Sequence, residues 1–233
     1  MSKRIFISKT AAEIDSVRSQ FEELGFEVDA HSFLSFSPVE FEIYRPYDVM
    51  FFGSPRAVIF FMVGQSIPEN VALGCIGNKT AELLKSLSYD VAFQGTKSGD
   101  PKAVAEEFGA WFEGKRTSTP FRQVQCNALI TRVLFPISDR SLKTISSKIA
   151  EDQKEEVVVY STKVVGKLVE VSDVYVFTSP SNVDGFFMDN AIPEGAEVIA
   201  WGKSTERALV LRGVTVGCTL KSASFEEVLG WLG

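Results

Sequence analysis

Four short turns in the sequence place small polar side chains between the end of a predicted strand and the start of a predicted helix. The turns span residues 54–56, 78–80, 179–182 and 203–205, and each contains Ser, Thr or Asn. The first backbone N–H groups of a helix have no partner within the helix, and beside a hydroxyl they suit a carboxylate or a phosphate. Open α/β sheets also bind their ligands at the carboxyl ends of strands. These turns therefore favour the binding of anions.

Helix capping is the alternative explanation of the same residues. For any single turn it is the better one, because Ser, Thr and Asn cap helices in proteins of every kind. The recurrence of four equivalent turns makes ligand binding about as good an explanation as capping.

Tyr160 is the side chain best suited to acid–base chemistry. It ends an apolar strand at residues 157–159 and precedes an irregular segment at residues 161–172. If that segment connects two lobes, the phenol lies near the cleft between them. A buried tyrosine whose hydroxyl has a protein partner is the better explanation from these residues alone.

The sequence lacks the motifs of several common nucleotide-binding and hydrolase sites. Residues 74–77 lack the third glycine of a dinucleotide fingerprint, and residues 202–204 lack the upstream glycine of a P-loop. There is no Gly-x-Ser-x-Gly, and a single histidine argues against a catalytic triad. That histidine, His31, follows a strand in a polar segment, and we expect it to be a solvated loop residue.

Composition narrows the class of protein further. The 233 residues carry a formal net charge of −6, which argues against a nucleic-acid binder with a broad basic surface. Cys75, Cys126 and Cys218 are far apart, so we expect no zinc site and a reducing cytosol. The apolar stretch at residues 49–64 is interrupted by a turn and is too short to span a membrane. We expect a soluble cytoplasmic protein that contacts neither nucleic acid nor membrane.

The elements that must position these residues repeat along the chain. Residues 48–55 align with residues 173–180, and residues 67–69 align with residues 192–194, in both cases at an offset of 125. Without a gap, the offset also aligns Gly77, Thr80, Leu84 and Val91 with Gly202, Thr205, Leu209 and Val216. Two copies of one structural unit are indicated, and two similar lobes commonly enclose a cleft.

Hydrophobic periodicity predicts alternating strands and helices in both copies. The chain opens with a strand at residues 4–8, a helix at 11–24 and a strand at 27–30, and residues 132–135, 139–149 and 156–160 repeat that pattern. The second copy is predicted to end with a strand at residues 214–216 and a helix at 225–232. Residues 31–46 and 161–172 are irregular candidate crossovers, and residues 114–125 form a polar loop. The predicted fold is α/β, with two similar flavodoxin-like lobes that have parallel sheets and are joined by two interlobe connections. Periodicity leaves open which segments pair.

Together these residues resemble the uroporphyrinogen-III synthase family. The resemblance is carried by residues 177–183, 186–187, 199–209, 213–216 and 224–229 in the C-terminal half, and by residues 52–58, 77–80 and 159–162 in the middle. It covers nearly the whole chain, and the order and spacing of the motifs are more specific than any one of them.

The resemblance implies a cyclising lyase of tetrapyrrole biosynthesis that uses no cofactor and no metal. The implied substrate is hydroxymethylbilane, a linear tetrapyrrole with eight carboxylates, which loses water and closes with inversion of its last ring. A monomer is implied, with transient contact to hydroxymethylbilane synthase. The implied lobes are residues 1–33 with 170–233, and residues 45–162, with residues 34–44 and 163–169 as links.

The resemblance also implies roles for particular residues. Tyr160 matches the tyrosine most often implicated in this family and would be the general acid. The implied substrate contacts are Lys9, Ser54, Arg56, Thr80, Arg140, Ser179, Ser181, Ser204 and Thr205. Two positions depart from the family pattern: Lys9 stands where an arginine is usual, which weakens bidentate binding of a carboxylate, and Gly53 stands where a threonine is usual.

Two other classes of function fit the same pattern. One is a two-lobed protein that binds a small polyanionic ligand without chemistry, and the other is a flavodoxin-like scaffold that docks other proteins. Formation of the type III isomer from hydroxymethylbilane separates the synthase from both.

Overall fold

A computed structural model describes residues 2–118 and 132–233 of the chain. These residues divide by their contacts into two compact units. Unit 1 comprises Met1–Ser35 and Lys163–Gly233, and unit 2 comprises Phe36–Thr162. Unit 1 is therefore built from both ends of the chain and unit 2 from its middle.

Strands and helices alternate through most of both units. In chain order they are β1 (Lys3–Ile7), α1 (Ala11–Ile14), α2 (Arg18–Glu23), β2 (Phe26–Ala30), β3 (Leu34–Pro38), β4 (Val49–Phe52), α3 (Pro55–Gly64), β5 (Ala72–Cys75), α4 (Asn78–Ser86), β6 (Val91–Gln94), α5 (Pro101–Ser118), β7 (Val133–Ser138), β8 (Lys154–Val164), β9 (Val174–Phe177), α6 (Pro180–Asp189), β10 (Glu197–Ala200), α7 (Lys203–Val210), β11 (Cys218–Thr219) and α8 (Phe225–Leu232). Two short 3-10 turns, Ser146–Lys148 and Glu151–Gln153, lie between β7 and β8.

The sheet of unit 1 has the order β11-β10-β9-β1-β2, and its neighbouring strands are parallel. Both faces are covered: Ile5 and Val176 belong to one buried cluster, whereas Phe6 and Tyr175 belong to another. A parallel sheet covered on both faces needs strands that are apolar at every position, which explains the uninterrupted run Val174–Phe177.

The sheet of unit 2 has the order β3-β8-β7-β4-β5-β6, and the strands from β8 to β6 are parallel to their neighbours. Met50 and Phe52 pack into one buried cluster, and Val49 and Phe51 into the cluster on the opposite face. The prediction of a mixed α/β fold with two parallel sheets is confirmed.

The offset of 125 residues is visible in the bounds of the elements. It carries β4 onto β9, α3 onto α6, and β5 onto β10, residue for residue. The caps correspond as well: Ser54 accepts a hydrogen bond from the amide of Ala57 at 3.2 Å, and Ser179 accepts one from the amide of Asn182 at 3.2 Å. The repeat in sequence is therefore a repeat in structure.

The predicted helix at residues 139–149 is wrong. The segment forms only a 3-10 turn at Ser146–Lys148, and Lys143 has a positive φ of 55°. Serine side chains bond to nearby backbone instead: the hydroxyl of Ser146 donates to the carbonyl of Lys143 at 3.1 Å, and the amide of Lys143 donates to the hydroxyl of Ser141 at 3.2 Å. Such local bonds compete with helix formation.

Three other element bounds also differ from the prediction. The helix at residues 11–24 is broken into α1 and α2, because Val17 leaves helical geometry with φ −123° and ψ −4°. The last strand is Cys218–Thr219, since the amide of Val214 still donates a hydrogen bond to the carbonyl of Leu209 at the end of α7. Helix α5 continues to Ser118 through the start of the predicted loop, and residues 119–125 of that loop lie outside the described residues.

The two segments predicted to be irregular contain regular strand. Residues 34–38 form β3, whose apolar and serine residues alternate, and β8 continues as far as Val164. The irregular character predicted for residues 31–46 and 161–172 is therefore wrong at these positions, because backbone pairing at the sheet edge orders them.

Candidate active site

Each sheet has one point at which the strand order reverses direction. In unit 1 it lies between β1 and β9, and in unit 2 between β7 and β4. Ligands of open α/β sheets bind outside the carboxyl ends of the strands at such a point. Ser54 follows β4, Arg140 follows β7, and Ser179 follows β9, so these predicted residues lie at the predicted edges.

Tyr160 lies at the carboxyl edge of the unit 2 sheet, on the strand next to β7. It pairs in register with Ser138, the last residue of β7, and its backbone carbonyl accepts a hydrogen bond of 3.1 Å from the amide of Asp139. The side chain is only 7% exposed. Tyr160 is therefore buried at the edge of the sheet. The neighbouring strand β7 ends beside it and continues into the exposed turn at Arg140.

The hydroxyl of Tyr160 has no hydrogen-bond partner among the described residues. Within the same residues, the one buried side-chain nitrogen or oxygen without a partner is the Nε2 atom of His31. The phenolic oxygen is thus not sealed inside the core, and it remains accessible from the surface. The buried tyrosine with a bonded hydroxyl, which sequence reasoning favoured, is not what the structure shows.

Arg56 is exposed and lies over the ring of Phe36. The guanidinium carbon is 3.6 Å from the centre of that ring, which is the geometry of a cation–π contact. In the described part of the chain Arg56 has no carboxylate partner. An arginine stacked on an aromatic face keeps its N–H edge free, which suits bidentate binding of a carboxylate.

The hydroxyl residues of the four turns differ in exposure. Ser54, Ser179 and Ser181 are half-buried, and Ser204 is exposed. Thr80 and Thr205, the third residues of α4 and α7, are each only 2% exposed. A contact between these two threonine hydroxyls and a ligand stays a prediction.

A network of hydrogen bonds joins β1, β9 and α6 at the reversal point of unit 1. The hydroxyl of Thr178 donates to the carbonyl of Ser8 at 2.7 Å, and the amide of Thr178 donates to the hydroxyl of Ser8 at 2.8 Å. The side-chain nitrogen of Asn182 donates to Ser179 Oγ at 3.1 Å. This network fixes the start of α6 against the ends of both strands.

Lys9 already has a carboxylate partner at the same edge. Its Nζ lies 3.1 Å from Glu13, one helical turn later, and 5.8 Å from the centre of the Trp201 ring. Burial alone would raise the pKa of Glu13, but hydrogen bonds from Thr10 and Lys9 outweigh it, and the pKa is lowered. A substrate carboxylate would compete with Glu13 for Lys9.

His31 lies in a loop, as the sequence suggested, but it is half-buried rather than solvated. Its Nε2 is buried without a partner, and its ring meets Phe33 edge to face with centroids 5.0 Å apart. Burial lowers the pKa of His31, the charge of Lys167 lowers it further, and Asp29 opposes both. The imidazole is therefore favoured in its neutral form.

Sequence reasoning missed the aromatic residues around Tyr160 and the polar network of unit 1. The rings of Phe36 and Phe60 contact Tyr160, and Ser8, Thr178 and Asn182 form the network. The offset of 125 held a usable signal, since it aligns Phe60 with Gly185 and Asn182 with Ala57. Positions at which two copies differ mark what is particular to each copy.

The described ranges offer neither a metal cluster nor a membrane span. Residues 2–118 and 132–233 contain no group of three or more His, Cys, Asp and Glu placed to hold a metal ion. None of the helices in these ranges is long and apolar enough to cross a membrane.

Comparison with protein families identifies the family of this chain. The model of the family described as uroporphyrinogen-III synthase HemD matches residues 15–229, which is most of the chain. The chain belongs to the uroporphyrinogen-III synthase family. Membership assigns it to tetrapyrrole biosynthesis as a cyclising lyase.

Solved structures agree with that family at the level of the fold. A uroporphyrinogen-III synthetase from Helicobacter pylori superposes with a TM-score of 0.66 at 17% identity, over 99% of this chain and 98% of the other. A mutant uroporphyrinogen III synthase from the extremely thermophilic bacterium Thermus thermophilus superposes with a TM-score of 0.52 at 15% identity, over 99% and 95% of the two chains. A sequence comparison with curated proteins returned no match.

Proposed function

We propose that this member of the uroporphyrinogen-III synthase family cyclises hydroxymethylbilane with Tyr160 as the general acid. The observation that carries the assignment of Tyr160 is its hydroxyl, which is accessible and has no partner in the described residues although its ring is packed. A fixed ring with a free hydroxyl is what directed proton donation requires.

The proton balance of the reaction assigns Tyr160 its part. The terminal hydroxyl of the substrate leaves as water, for which it needs one proton, and the phenol supplies it. The carbocation that remains is attacked by the last pyrrole at its substituted α-carbon, which gives a spiro intermediate. The bond from that carbon to its original bridging methylene then breaks, and the methylene carbocation so formed is attacked by the free α-carbon of the same pyrrole, which inverts the ring. Restoring the aromatic pyrrole releases one proton, which returns to the phenolate. The overall change is cyclisation with loss of one water molecule.

Carboxylates of the substrate would be bound by cations and helix starts at the sheet edges. Arg56 and Arg140 are both exposed in unit 2, and Lys9 is half-buried in unit 1. Ser54 and Ser179 cap helices whose amino-terminal ends favour negative charge. A protein of net charge −6 binds an octa-anion in this way because the positive potential is local.

The assignment is tested by the isomer of the product. Hydroxymethylbilane is generated in situ, the porphyrinogens are oxidised, and the type I and type III isomers are separated. We expect the wild-type chain to give type III, and Tyr160→Phe to lower kcat by about 10²-fold or more, the usual contribution of a general acid. Tyr44→Phe is the matched control, because Tyr44 is 79% exposed in the same unit.

Two outcomes would count against the proposal in different ways. Type I product alone from the wild-type chain, at the spontaneous rate, would favour a non-catalytic binding protein. Type III product at an unchanged rate from Tyr160→Phe would remove the acid role and leave the activity in place.

We also propose that the chain works as a monomer in the cytoplasm and receives its substrate by transient contact with hydroxymethylbilane synthase. The isolated cysteines favour a reducing compartment. Sedimentation of the chain with and without that synthase tests the oligomeric state and the contact. A stable dimer contradicts the first, and a faster-sedimenting boundary in the mixture supports the second.

A further inference from the structure

Ring packing, rather than a hydrogen bond, sets the direction of the Tyr160 phenol. The ring of Phe60 stacks on the ring of Tyr160 with centroids 5.1 Å apart and planes 21° from parallel. Phe36 meets the same ring at 6.2 Å with an interplanar angle of 66°. Since no described residue bonds to the hydroxyl, its position depends on the packing of the ring, to which these two aromatic contacts contribute.

The same group of rings reaches Arg56. Phe60 follows Arg56 by four residues in α3, so both side chains lie on one face of the helix. The guanidinium of Arg56 rests on Phe36, which in turn contacts Tyr160. Phe36 therefore contacts both the proposed acid and a proposed carboxylate anchor, whereas Phe60 stacks on the acid.

The duplicated unit shows that the common architecture does not require a phenylalanine at this position. Gly185 occupies the equivalent place in α6, and a Cβ added there would collide with the Cβ of Phe33 and approach Val164 Cγ1 at 3.1 Å. In unit 1 the segments at Phe33 and Val164 pack closely against α6 at Gly185, whereas in unit 2 the ring of Phe60 occupies the equivalent position on α3. The aromatic side chain is thus particular to the unit that carries Tyr160.

We propose that Phe60 is a positioning residue for the cyclisation, which acts by holding the phenol of Tyr160 toward the leaving hydroxyl. This proposal rests on the proposed function. The positioning role predicts an effect on the chemical step rather than on substrate binding, because the ring of Phe60 stacks on the ring of the proposed acid. Loss of the ring should lower kcat and leave KM nearly unchanged, since misdirection of a catalytic group by about 1 Å is enough to cost up to 10²-fold in rate.

The experiment compares Phe60→Leu with Phe60→Tyr in the full chain. We expect Phe60→Leu to lower kcat by roughly tenfold or more with KM within about twofold, and Phe60→Tyr to keep most of the rate because the stacked ring remains. Ile59→Leu is the control from the exposed face of the same helix, where Ile59 is 52% exposed. If Phe60→Leu does not fold, Phe60→Met replaces it, since its flexible side chain fills irregular gaps without a ring.

A double-mutant cycle with Tyr160→Phe decides whether Phe60 acts through Tyr160. We expect Phe60→Leu to have no further effect on kcat in the Tyr160→Phe background. An equal loss in both backgrounds, or a wild-type kcat in Phe60→Leu, overturns the positioning role.

Nuclear magnetic resonance of ring-labelled tyrosine gives a readout that is independent of activity: the Tyr160 signal should shift in Phe60→Leu and stay in place in Ile59→Leu. If Tyr160→Phe itself keeps full activity, the acid role fails, and this resonance shift still reports whether the stacking exists.

Discussion

The side-chain nitrogen of Asn182 donates a hydrogen bond of 3.1 Å to the backbone carbonyl of Ser8, which lies 174 residues earlier in the chain. The side-chain oxygen of the same residue accepts a hydrogen bond of 2.8 Å from the amide of Phe33. Asn182 is 4% exposed. One buried amide therefore joins the end of β1, the segment after β2 and the start of α6.

Removal of that amide should destabilise unit 1. We expect Asn182→Ala to lower the free energy of unfolding by about 2–4 kcal/mol, because it leaves the carbonyl of Ser8 with one partner fewer and the amide of Phe33 with none. Urea unfolding measures the change. Ser181→Ala, next to it on the half-buried side of α6, should change stability by less than about 0.5 kcal/mol. Equal effects of the two variants would show that the amide does not link the three segments.

Two glycine substitutions should have opposite signs. Gly185→Ala places a Cβ against Phe33, so we expect a loss of about 1–3 kcal/mol from overpacking. Gly230 lies in α8 with no described atom within 4 Å of an added Cβ, so Gly230→Ala should gain up to about 1 kcal/mol. Thermal unfolding of both variants checks the signs. A stable Gly185→Ala would mean that Phe33 moves away from α6 at little cost.

Substitution of Ser54 separates capping from substrate binding. Ser54→Ala should cost about 1 kcal/mol, because the amide of Ala57 loses its acceptor. Ser54→Asp should restore the cap and the stability, but its negative charge should raise KM for the octa-anionic substrate. Urea unfolding of the two variants measures the contribution of the cap to stability, and steady-state kinetics on the same variants measures the effect on KM. An unchanged KM in Ser54→Asp would assign Ser54 to capping alone.

His31 should make the stability depend on pH just below neutrality. Its folded-state pKa is lowered by burial and by Lys167, against Asp29, so the unfolded chain takes up the proton first. Stability should therefore be complete above the ordinary pKa of about 6.5 and fall as the pH decreases through it toward the lower folded-state pKa. His31→Gln should flatten this part of the curve, which urea unfolding between about pH 7.5 and 5 measures.

Carboxylates act in a separate range of pH. Glu156 and Glu227 have lowered pKa values. Burial raises the pKa of Glu156, but Lys143 and Ser146 outweigh it; Glu227 accepts hydrogen bonds from the backbone amides of Lys221 and Ser222 and from the Ser222 hydroxyl. Their contribution should be lost below the ordinary pKa of about 4.5. A slope that persists unchanged between about pH 7.5 and 5 in His31→Gln would contradict the assignment to His31.

Short-range features were predictable from the sequence because their determinants are close together in the chain. A cap depends on residues three apart, as in Ser54 with Ala57, and a buried strand depends on a run such as Val49–Phe52. The helix predicted at residues 139–149 failed where periodicity was outweighed by hydrogen bonds of Ser141 and Ser146 that the pattern of apolar residues does not encode.

The sequence by itself determined that the chain holds two copies of one α/β unit, with equivalent capped helix starts, since the offset of 125 fixes both strand and cap positions. Only the tertiary structure decided that β1 pairs with β9 and β4 with β7. Likewise, only the tertiary structure shows that Thr80 and Thr205 are buried and that the ring of Phe60 stacks on the ring of Tyr160. The physical reason is that pairing and packing are chosen by the fit of whole buried faces, to which residues about 100 or more positions apart contribute together.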